Sequence, residues 1–576
     1  MNIYNLFKEK IAEIVKKLYP EISEKFLQNF AVEAPKDTKF GDLSTNIAMV
    51  LAKPLGLKPQ EIANNLIEKI KVIESVQNCE IADAGFINIS LDNKIYYQIL
   101  SEILSKKNDF GKSKIGKNAK VNLEFLSANP TGPMHIGHAR NAVVGDVLAN
   151  ILIANGYNVT KEYYVNDAGG QIETLAKSAF LRYKEKLGVD IGEIPKGLYP
   201  GEYLIEVAEK FIAKFGNEFV NDENYPEELK TFAISEMLAL IKFDLANLGV
   251  NFDVWTSEKK LYQDKKLEES LEFLTKQNLL YHGILEAPKG KPVEDYEPRE
   301  QLLFKAKDYG DDTDRPLQKS DGTYTYFSGD IAYHFDKISR GFEKLFLVLG
   351  ADHAGYVKRL GAVVSALSNK KTEIKILLSQ LVKVVENGLP VKMSKRAGNF
   401  ITMSEVLEKV GKDVLRFIML TKKSDTQLDF DLAKVLETSK DNPVFYVQYA
   451  YARINSVKRK FQEIFNEDFE KSKTNLENFQ KLNHHLEISL IKKLSDYPKI
   501  LELSAVHSEP HRISFYLYEL ASDFHQLWNV GKDEGINFVD EKDKNLSIAR
   551  VNLINATQII LRNGLRIMGV TPVEKM

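Results

Sequence analysis

Apolar residues change their spacing along the chain, and each change marks an element. Val121-Asn122-Leu123-Glu124-Phe125-Leu126 is short and rich in apolar residues, as a buried strand requires. Ser127-Ala128-Asn129-Pro130-Thr131-Gly132-Pro133 follows, where two prolines and a glycine exclude both helix and ladder. From Met134 the pattern turns helical. Ala139, Ala142, Val143, Val147, Ile151 and Ala154 recur at that spacing, and Asn155-Gly156 stops it. Farther on, Lys344 to Leu349 is an almost uninterrupted apolar run, expected for a central parallel strand. Gly350-Ala351-Asp352-His353-Ala354-Gly355 lies at its carboxyl end. Strand, tight loop and helix in this order form the phosphate-binding end of a doubly wound sheet.

The flanking regions have other rhythms. Helical patterns cover 2–18, up to Pro20, then 46–52, with Pro54 as terminator, and 61–73. Ala84 to Leu91 alternates like a strand, and a further helix precedes 106–111. Residues 1–112 thus read as a small α+β accessory domain. The lysines of 106–120 fit a linker or an RNA-facing strip. Residues 113–425 hold the sheet, with a mostly helical, charged insertion at about 170–300. Asp321-Gly322 signals a hairpin turn, Thr323 to Phe327 alternates after it, and Gly329 to His334 leads into a helix. From about 426 to 576 the pattern is almost wholly helical, with starts at Asn442-Pro443 and Glu509-Pro510 and a helix from Ala549 to Met568. The expected fold is an α/β, Rossmann-like parallel-sheet domain between an α+β N-terminal domain and an all-α C-terminal bundle.

At 576 residues the chain exceeds one core, and two to four domains are expected. Apolar content of 44% and charged content of 27% describe an ordinary globular protein with no membrane-spanning run. The N-terminal 20 residues form an amphipathic helix with acidic positions, unlike a targeting peptide, so the cytoplasm is expected. The single cysteine, Cys79, excludes an intramolecular disulfide and a multi-cysteine zinc site, and reads as a packed thiol. Net charge is −2, and residues 441–576 carry 18 basic against 18 acidic side chains. Any nucleic-acid binding must therefore rest on local arrangement.

His135 and His138, framing Ile136-Gly137 at a helix start, can both face phosphates, and Gly137 lets a nucleotide approach the backbone. Two surface histidines at a helix start are the plainer alternative. Lys392 and Lys395 lie three apart between Gly388 and Gly398, where they can close over phosphates, and Ser394 adds a hydroxyl; a solvated basic turn is the alternative. Asp330 lies four residues after Tyr326, on one face if a helix begins there, although a capping role for Asp330 would look alike. Tyr446 and Arg453, seven apart on a helix, are groups that stack on unpaired bases, with a packed Tyr446 as the alternative.

His135-Ile136-Gly137-His138 resembles the first signature of class I aminoacyl-tRNA synthetases, and its frame from Glu124 to Pro133 is similar to the arginyl members. Lys392-Met393-Ser394-Lys395-Arg396, after Glu386-Asn387-Gly388-Leu389-Pro390, resembles the second. Tyr199-Pro200-Gly201-Glu202-Tyr203 and Leu248 to Trp255 are also similar to the arginyl family, though turn and aromatic core would explain them equally.

The resemblance covers essentially the whole chain and implies ATP-dependent ligation of L-arginine to tRNA(Arg) through an arginyl-adenylate. It implies His135, His138, Lys392 and Lys395 as catalytic groups, and ATP contacts at Pro133, His135, Gly137, His138, Gly350, Asp352, His353, Lys392, Met393, Ser394 and Lys395. Whether Asp352 or His353 touches adenine or merely ends a strand stays open. Arginine is implied at Glu124, Ser127, Asn129, Tyr326 and Asp330. The tRNA is implied at Tyr446, Arg453 and Met576, with the N-terminal domain on its elbow and the C-terminal bundle on its anticodon. Magnesium would ride on the phosphates of ATP, with no structural zinc. A monomer with no membrane partner is expected.

Other readings remain. A glutamyl enzyme conflicts with the acidic candidates Glu124 and Asp330, and a zinc-dependent cysteinyl enzyme with the single cysteine. A small-molecule nucleotidylyltransferase would leave the helical C-terminus idle. A non-catalytic tRNA-binding relative would have no use for the histidine and lysine pairs.

Overall fold

The computed structural model describes residues 1–285, 299–319, 321–386, 389–390, 401–469 and 476–576. The second signature, Lys392 to Arg396, lies outside the described residues.

The N-terminal domain runs through α1 (Ile3–Leu18), α2 (Glu24–Asn29), β1 (Val32–Glu33), β2 (Leu43–Thr45), α3 (Ile47–Leu55), α4 (Pro59–Ile70), β3 (Val76–Ala82), β4 (Phe86–Leu91) and α5 (Asn93–Lys106). Its strands form an antiparallel sheet in the order β1-β2-β4-β3. Pro54 does not end α3; it sits inside the last turn, and Gly56 in the left-handed region (φ 66°) closes the helix. Cys79 is buried, and that burial pushes its thiol up to about 11.

The catalytic body follows: β5 (Lys120–Phe125), α6 (Ile136–Ala154), β6 (Asn158–Val165), α7 (Gly170–Lys186), α8 (Tyr203–Phe215), α9 (Glu227–Leu248), β7 (Val254–Ser257), α10 (Glu258–Gln263), α11 (Lys266–Lys276), β8 (Leu280–Gly283), β9 (Gln301–Phe304), β10 (Arg315–Pro316), α12 (Tyr326–Ser339), β11 (Lys344–Gly350), α13 (Val357–Leu367), β12 (Glu373–Ser379), β13 (Val382–Glu386), β14 (Leu389–Pro390), α14 (Met403–Val410), α15 (Lys412–Met419) and β15 (Leu428–Asp431). Five strands form an all-parallel sheet in the order β12-β11-β5-β6-β7. The strand order turns between β5 and β11, and a doubly wound sheet opens its ligand crevice at that point. β5 is buried from Val121 to Phe125, with the polar Asn122 and Glu124 buried among its apolar residues. On α6, Gly145 lies so close to β5 that a Cβ there would meet the Phe125 ring at 2.3 Å.

Three expectations change. The stretch 170–300 is not one helical block, because β7 returns to pair with β6 as the edge strand of the central sheet. Helices α7, α8 and α9 are the enlarged crossover between those two strands, with a small apolar core of their own. Thr323 to Phe327 is not a strand: after one bridge between Gln318 and Tyr324 the chain enters α12 at Tyr326. The region after 426 begins with β15, which pairs with β13 before the helices start.

The bundle comprises α16 (Pro443–Phe465), α17 (Leu476–Phe479), α18 (His485–Ser495), α19 (Tyr497–His507), α20 (His511–Asp533) and α21 (Lys544–Ile567). Asn442 caps α16 and Pro443 occupies its first turn, as the Asn-Pro pair signals. The N-terminal domain docks on this bundle through Tyr97 Oη to Leu482 O at 2.8 Å and Tyr4 Oη to Asp496 at 2.6 Å. Among the described residues no helix is long and apolar enough to cross a membrane.

Candidate active site

The crevice is built first by Asn141, on α6. Its Oδ1 accepts from Leu126 N at 2.7 Å, and its Nδ2 donates to Val348 O at 3.1 Å, so one amide ties the ends of β5 and β11 together. Leaving β5, Leu126 (φ 70°) and Ser127 (φ 42°) both adopt the left-handed region, which costs a non-glycine residue about 1–2 kcal/mol. The Asn141 bond holds the first, and Ser127 Oγ accepts from Tyr164 N at 3.0 Å. Farther along the loop, the hydroxyls of Tyr163 and Tyr203 donate to Ala128 O and Thr131 O, each at 2.7 Å.

The loop delivers His135 as the N-cap of α6. His135 Nδ1 accepts from Gly137 N, and His138 Nδ1 accepts from His135 N, both at 3.2 Å, and the rings stack with centroids 3.8 Å apart. With Nδ1 accepting, a neutral imidazole carries its proton on Nε2, so both rings are donors at the positive end of a helix. A Cβ at Gly137 would stand 3.0 Å from His135 Cε1, so a larger residue here would press on that ring. Pro133, half-buried, lies two residues before the cap.

Across the switch point β11 ends in Gly350, where a Cβ would sit 2.4 Å from Asp352 Oδ1. Asp352 and His353 follow on a single 3-10 turn, both exposed, with the imidazole 3.6 Å from the carboxylate. After the second signature in sequence, Thr402 pairs with His135, and Met403 N donates to Met134 O at 2.8 Å. The chain thus re-enters seven residues after Lys395 directly against the first signature.

The far wall is acidic. Glu124, at the end of β5, meets Lys337 Nζ at 2.5 Å; both are buried, and the ammonium also lies over the Tyr333 ring at 4.1 Å. Asp330 lies in the second turn of α12, one turn after Tyr326, so it does not cap the helix; Thr325 holds the cap position. Tyr326 is 76% exposed. Burial first, then Glu124 and Glu258, push the Asp330 carboxyl up to about 7, against the pull of Arg359 and Lys337. Glu258, the first residue of α10, is likewise pushed up to about 7 by burial and by Asp167. Asn129 faces Asn166 at 3.1 Å. Glu258 and Lys337 had no marker in the sequence. The first hides in a helix start after an edge strand, the second among ordinary helical lysines.

On α16, Tyr446 is half-buried against Tyr518 and His525, with centroids at 5.2 and 4.5 Å. Arg453 is sandwiched between the rings of Tyr449 (4.3 Å) and Trp528 (4.5 Å) and donates to Tyr449 Oη at 2.6 Å. Gln448, between them in sequence, holds the C-terminal tail through Thr571 O and Val573 N, so the exposed Met576 ends a strap laid along this helix.

A doubly wound sheet whose switch point meets a helix capped by two imidazoles defines a class I nucleotide-activating fold, and the family described as tRNA synthetases class I (R), catalytic domain, matches residues 99–461. The arginyl tRNA synthetase N terminal domain matches residues 5–91, and the DALR anticodon binding domain residues 447–576. The chain belongs to the arginyl-tRNA synthetases. Among its relatives, the arginine–tRNA ligase of Cereibacter sphaeroides is 50% identical over 96% of this chain and 95% of its own. That of Xanthobacter autotrophicus is 47% identical over the full length of both. The Thermus thermophilus arginyl-tRNA synthetase structure shares the fold, with a TM-score of 0.72 at 20% identity and full coverage of both chains.

Proposed function

We propose that this chain joins L-arginine to tRNA(Arg) in an ATP-dependent reaction through an arginyl-adenylate. The arginine carboxylate attacks the α-phosphorus of ATP and pyrophosphate leaves; a terminal ribose hydroxyl of the tRNA then attacks the carbonyl carbon and AMP leaves. The observation that carries this reading is the pairing of two unlike walls at one switch point. On one side stand the imidazoles of His135 and His138; on the other, two half-buried carboxyls, Asp330 and Glu258, hold their protons unusually firmly. Carboxylates pressed together in this way gain most from a ligand with a planar fork of donors and a fixed positive charge, which is a guanidinium.

In this reading His135 and His138 donate to phosphoryl oxygens as charge develops there, with Lys392 and Lys395 completing the clamp and Met393 and Ser394 beside them. Pro133, Gly137, Gly350, Asp352 and His353 line the nucleotide. Glu124, Ser127 and Asn129 receive the amino end of arginine, and Tyr326 and Asp330 its side chain, with Glu258 added from the geometry. Tyr446, Arg453 and the tail to Met576 take the tRNA.

We divide the chain into 1–112 on the tRNA elbow, 113–425 for catalysis, with a helical insertion at about 170–300 that returns β7 to the central sheet, and 426–576 on the anticodon. Magnesium is proposed to travel on the phosphates, neutralising their charge. Among the described residues no group of three or more His, Cys, Asp or Glu side chains could hold a metal. A cytoplasmic monomer is the setting proposed, since tRNA, ATP and free arginine share that compartment.

Exchange of labelled pyrophosphate into ATP tests the reading. Arginine should drive it and lysine, glutamate and citrulline should not, with tRNA required for the signal. Exchange driven by another amino acid, or by none, would overturn it.

A further inference from the structure

The crossover helices α7–α9 have their own apolar core and carry the Tyr199 to Tyr203 motif, yet none of their residues has a part in the reaction so far. Two of their side chains nevertheless reach the nucleotide loop. Tyr203, the first residue of α8, donates its hydroxyl to Thr131 O at 2.7 Å, four residues before the His135 cap. The fit there is close: a Cβ on Gly132 would come within 2.8 Å of that hydroxyl, and Gly132 itself has a φ of 156°. Tyr199 and Pro200 are fixed in turn, since Ser178 Oγ accepts from Tyr199 N at 2.9 Å and Arg182 donates to Pro200 O at 2.7 Å. The motif is therefore anchored on α7 before it reaches the loop.

The second contact comes from Asp244 on α9, which is 1% exposed. Its Oδ1 accepts from Ser404 Oγ at 2.7 Å. Burial pushes the carboxyl up, the Ser404 hydroxyl opposes that push, and the second oxygen, Oδ2, is buried without a hydrogen-bond partner among the described residues. Met134 precedes His135, and Ser404 follows Thr402, the residue paired with His135. One buried carboxyl thus grips Ser404 of the segment leaving the second signature, and the adjacent Met403 N donates to Met134 O of the segment entering the first at 2.8 Å.

We propose that Tyr203 and Asp244 are positioning residues through which the crossover helices hold the loop from Thr131 to His135 and the segment Thr402–Ser404 in register for ATP. Neither touches the substrates. They act on the loop carbonyl at Thr131 and, through Ser404, on the Met134–Met403 junction, and so set where the His135 and His138 rings stand. A displacement of this kind, about 1 Å at a reacting group, lowers a rate by up to about 10²-fold without removing any catalytic atom.

This inference rests on the arginine–tRNA ligase reading, and its test separates the two. Tyr203→Phe and Asp244→Asn are near-isosteric, and pyrophosphate exchange is measured on the full-length chain with arginine and tRNA present. The expected result is a fall in kcat of about tenfold or more with a raised KM for ATP. The KM for arginine, the affinity for tRNA and the thermal midpoint should remain as in the parent. Unchanged kcat and KM for ATP in both variants would overturn the proposal. So would a loss shared equally by all substrates that tracks a lowered thermal midpoint, since it would make these residues plain scaffold. A parent chain without arginine-dependent exchange would remove the underlying reading, whereas an active parent with indifferent variants removes only the brace.

Discussion

His135 and His138 cap one helix end for each other: each Nδ1 takes a backbone N–H at 3.2 Å, and the rings stack at 3.8 Å. The backbone, more than the ligand, dictates which nitrogen of each ring is protonated. In the proposed reaction both imidazoles would serve as donors already aimed, which is the preorganisation that phosphoryl transfer needs.

Replacing His138 by Asn keeps an acceptor near the His135 amide but withdraws the Nε2 donor. Pyrophosphate exchange should fall about 10²-fold. Filter binding of tRNA should be almost unchanged, and an equal loss of rate and tRNA affinity would contradict the assigned role.

The carboxyls of Asp330 and Glu258 both sit at about 7 in the free enzyme. A guanidinium binds their ionised forms, so protons compete with arginine as pH falls through 7. The KM for arginine should rise below pH 7 by up to about tenfold per pH unit for each carboxyl that titrates, and level off above it. The KM for ATP should not follow. Asp330→Asn should flatten part of this dependence in a KM–pH series.

Asp330→Ala should also erase discrimination. A site built for donors rejects a ligand lacking them by large factors, and truncating the acceptor removes that penalty. Competition of lysine or citrulline with arginine in the exchange assay is the readout. Preserved selectivity with a lowered thermal midpoint would assign Asp330 to packing.

Lys337 is fully buried against Glu124, the one carboxylate of the crevice with a close lysine partner among the described residues. Lys337→Met strands that carboxylate and should destabilise the protein by about 3–5 kcal/mol in urea unfolding. Adding Glu124→Gln should recover much of that stability while leaving arginine binding impaired. Additive losses in the double variant would show that the two groups are energetically independent.

Arg453 is held between the rings of Tyr449 and Trp528, which cover its guanidinium faces and fix its positive charge and N–H edge in place. Arg453→Gln should weaken tRNA binding by about 1–3 kcal/mol. The KM values for ATP and arginine should stay as in the parent, measured under saturating tRNA.

The strand Val121–Phe125 and the helix from Ile136 were legible because both lie in the protein interior, where most positions are apolar and the flanking Pro, Gly and Asn residues mark their ends. β7 was not, since its four half-buried residues sit at a sheet edge between two helices and show no clear period. Thr323 to Phe327 alternated by accident: the Thr325 cap and the turn held by Lys319 and Thr323 decide that a helix begins at Tyr326. Within the site, the histidine pair carried its own frame. Glu258, Lys337 and Asp244 became visible only through the residues they face, because a charged side chain on a helix announces nothing about its partner; Tyr203 stood out in its motif but gained a role only through Thr131.

The most direct test of the account is a crystal structure of the chain with ATP and arginine bound. The triphosphate should lie between the N-terminus of α6 and residues 392–395, within hydrogen-bond distance of His135, His138, Lys392 and Lys395, with the guanidinium on Asp330 and Glu258. A triphosphate seated away from α6, or lysines 392 and 395 on the opposite side of the molecule from the histidines, would contradict it.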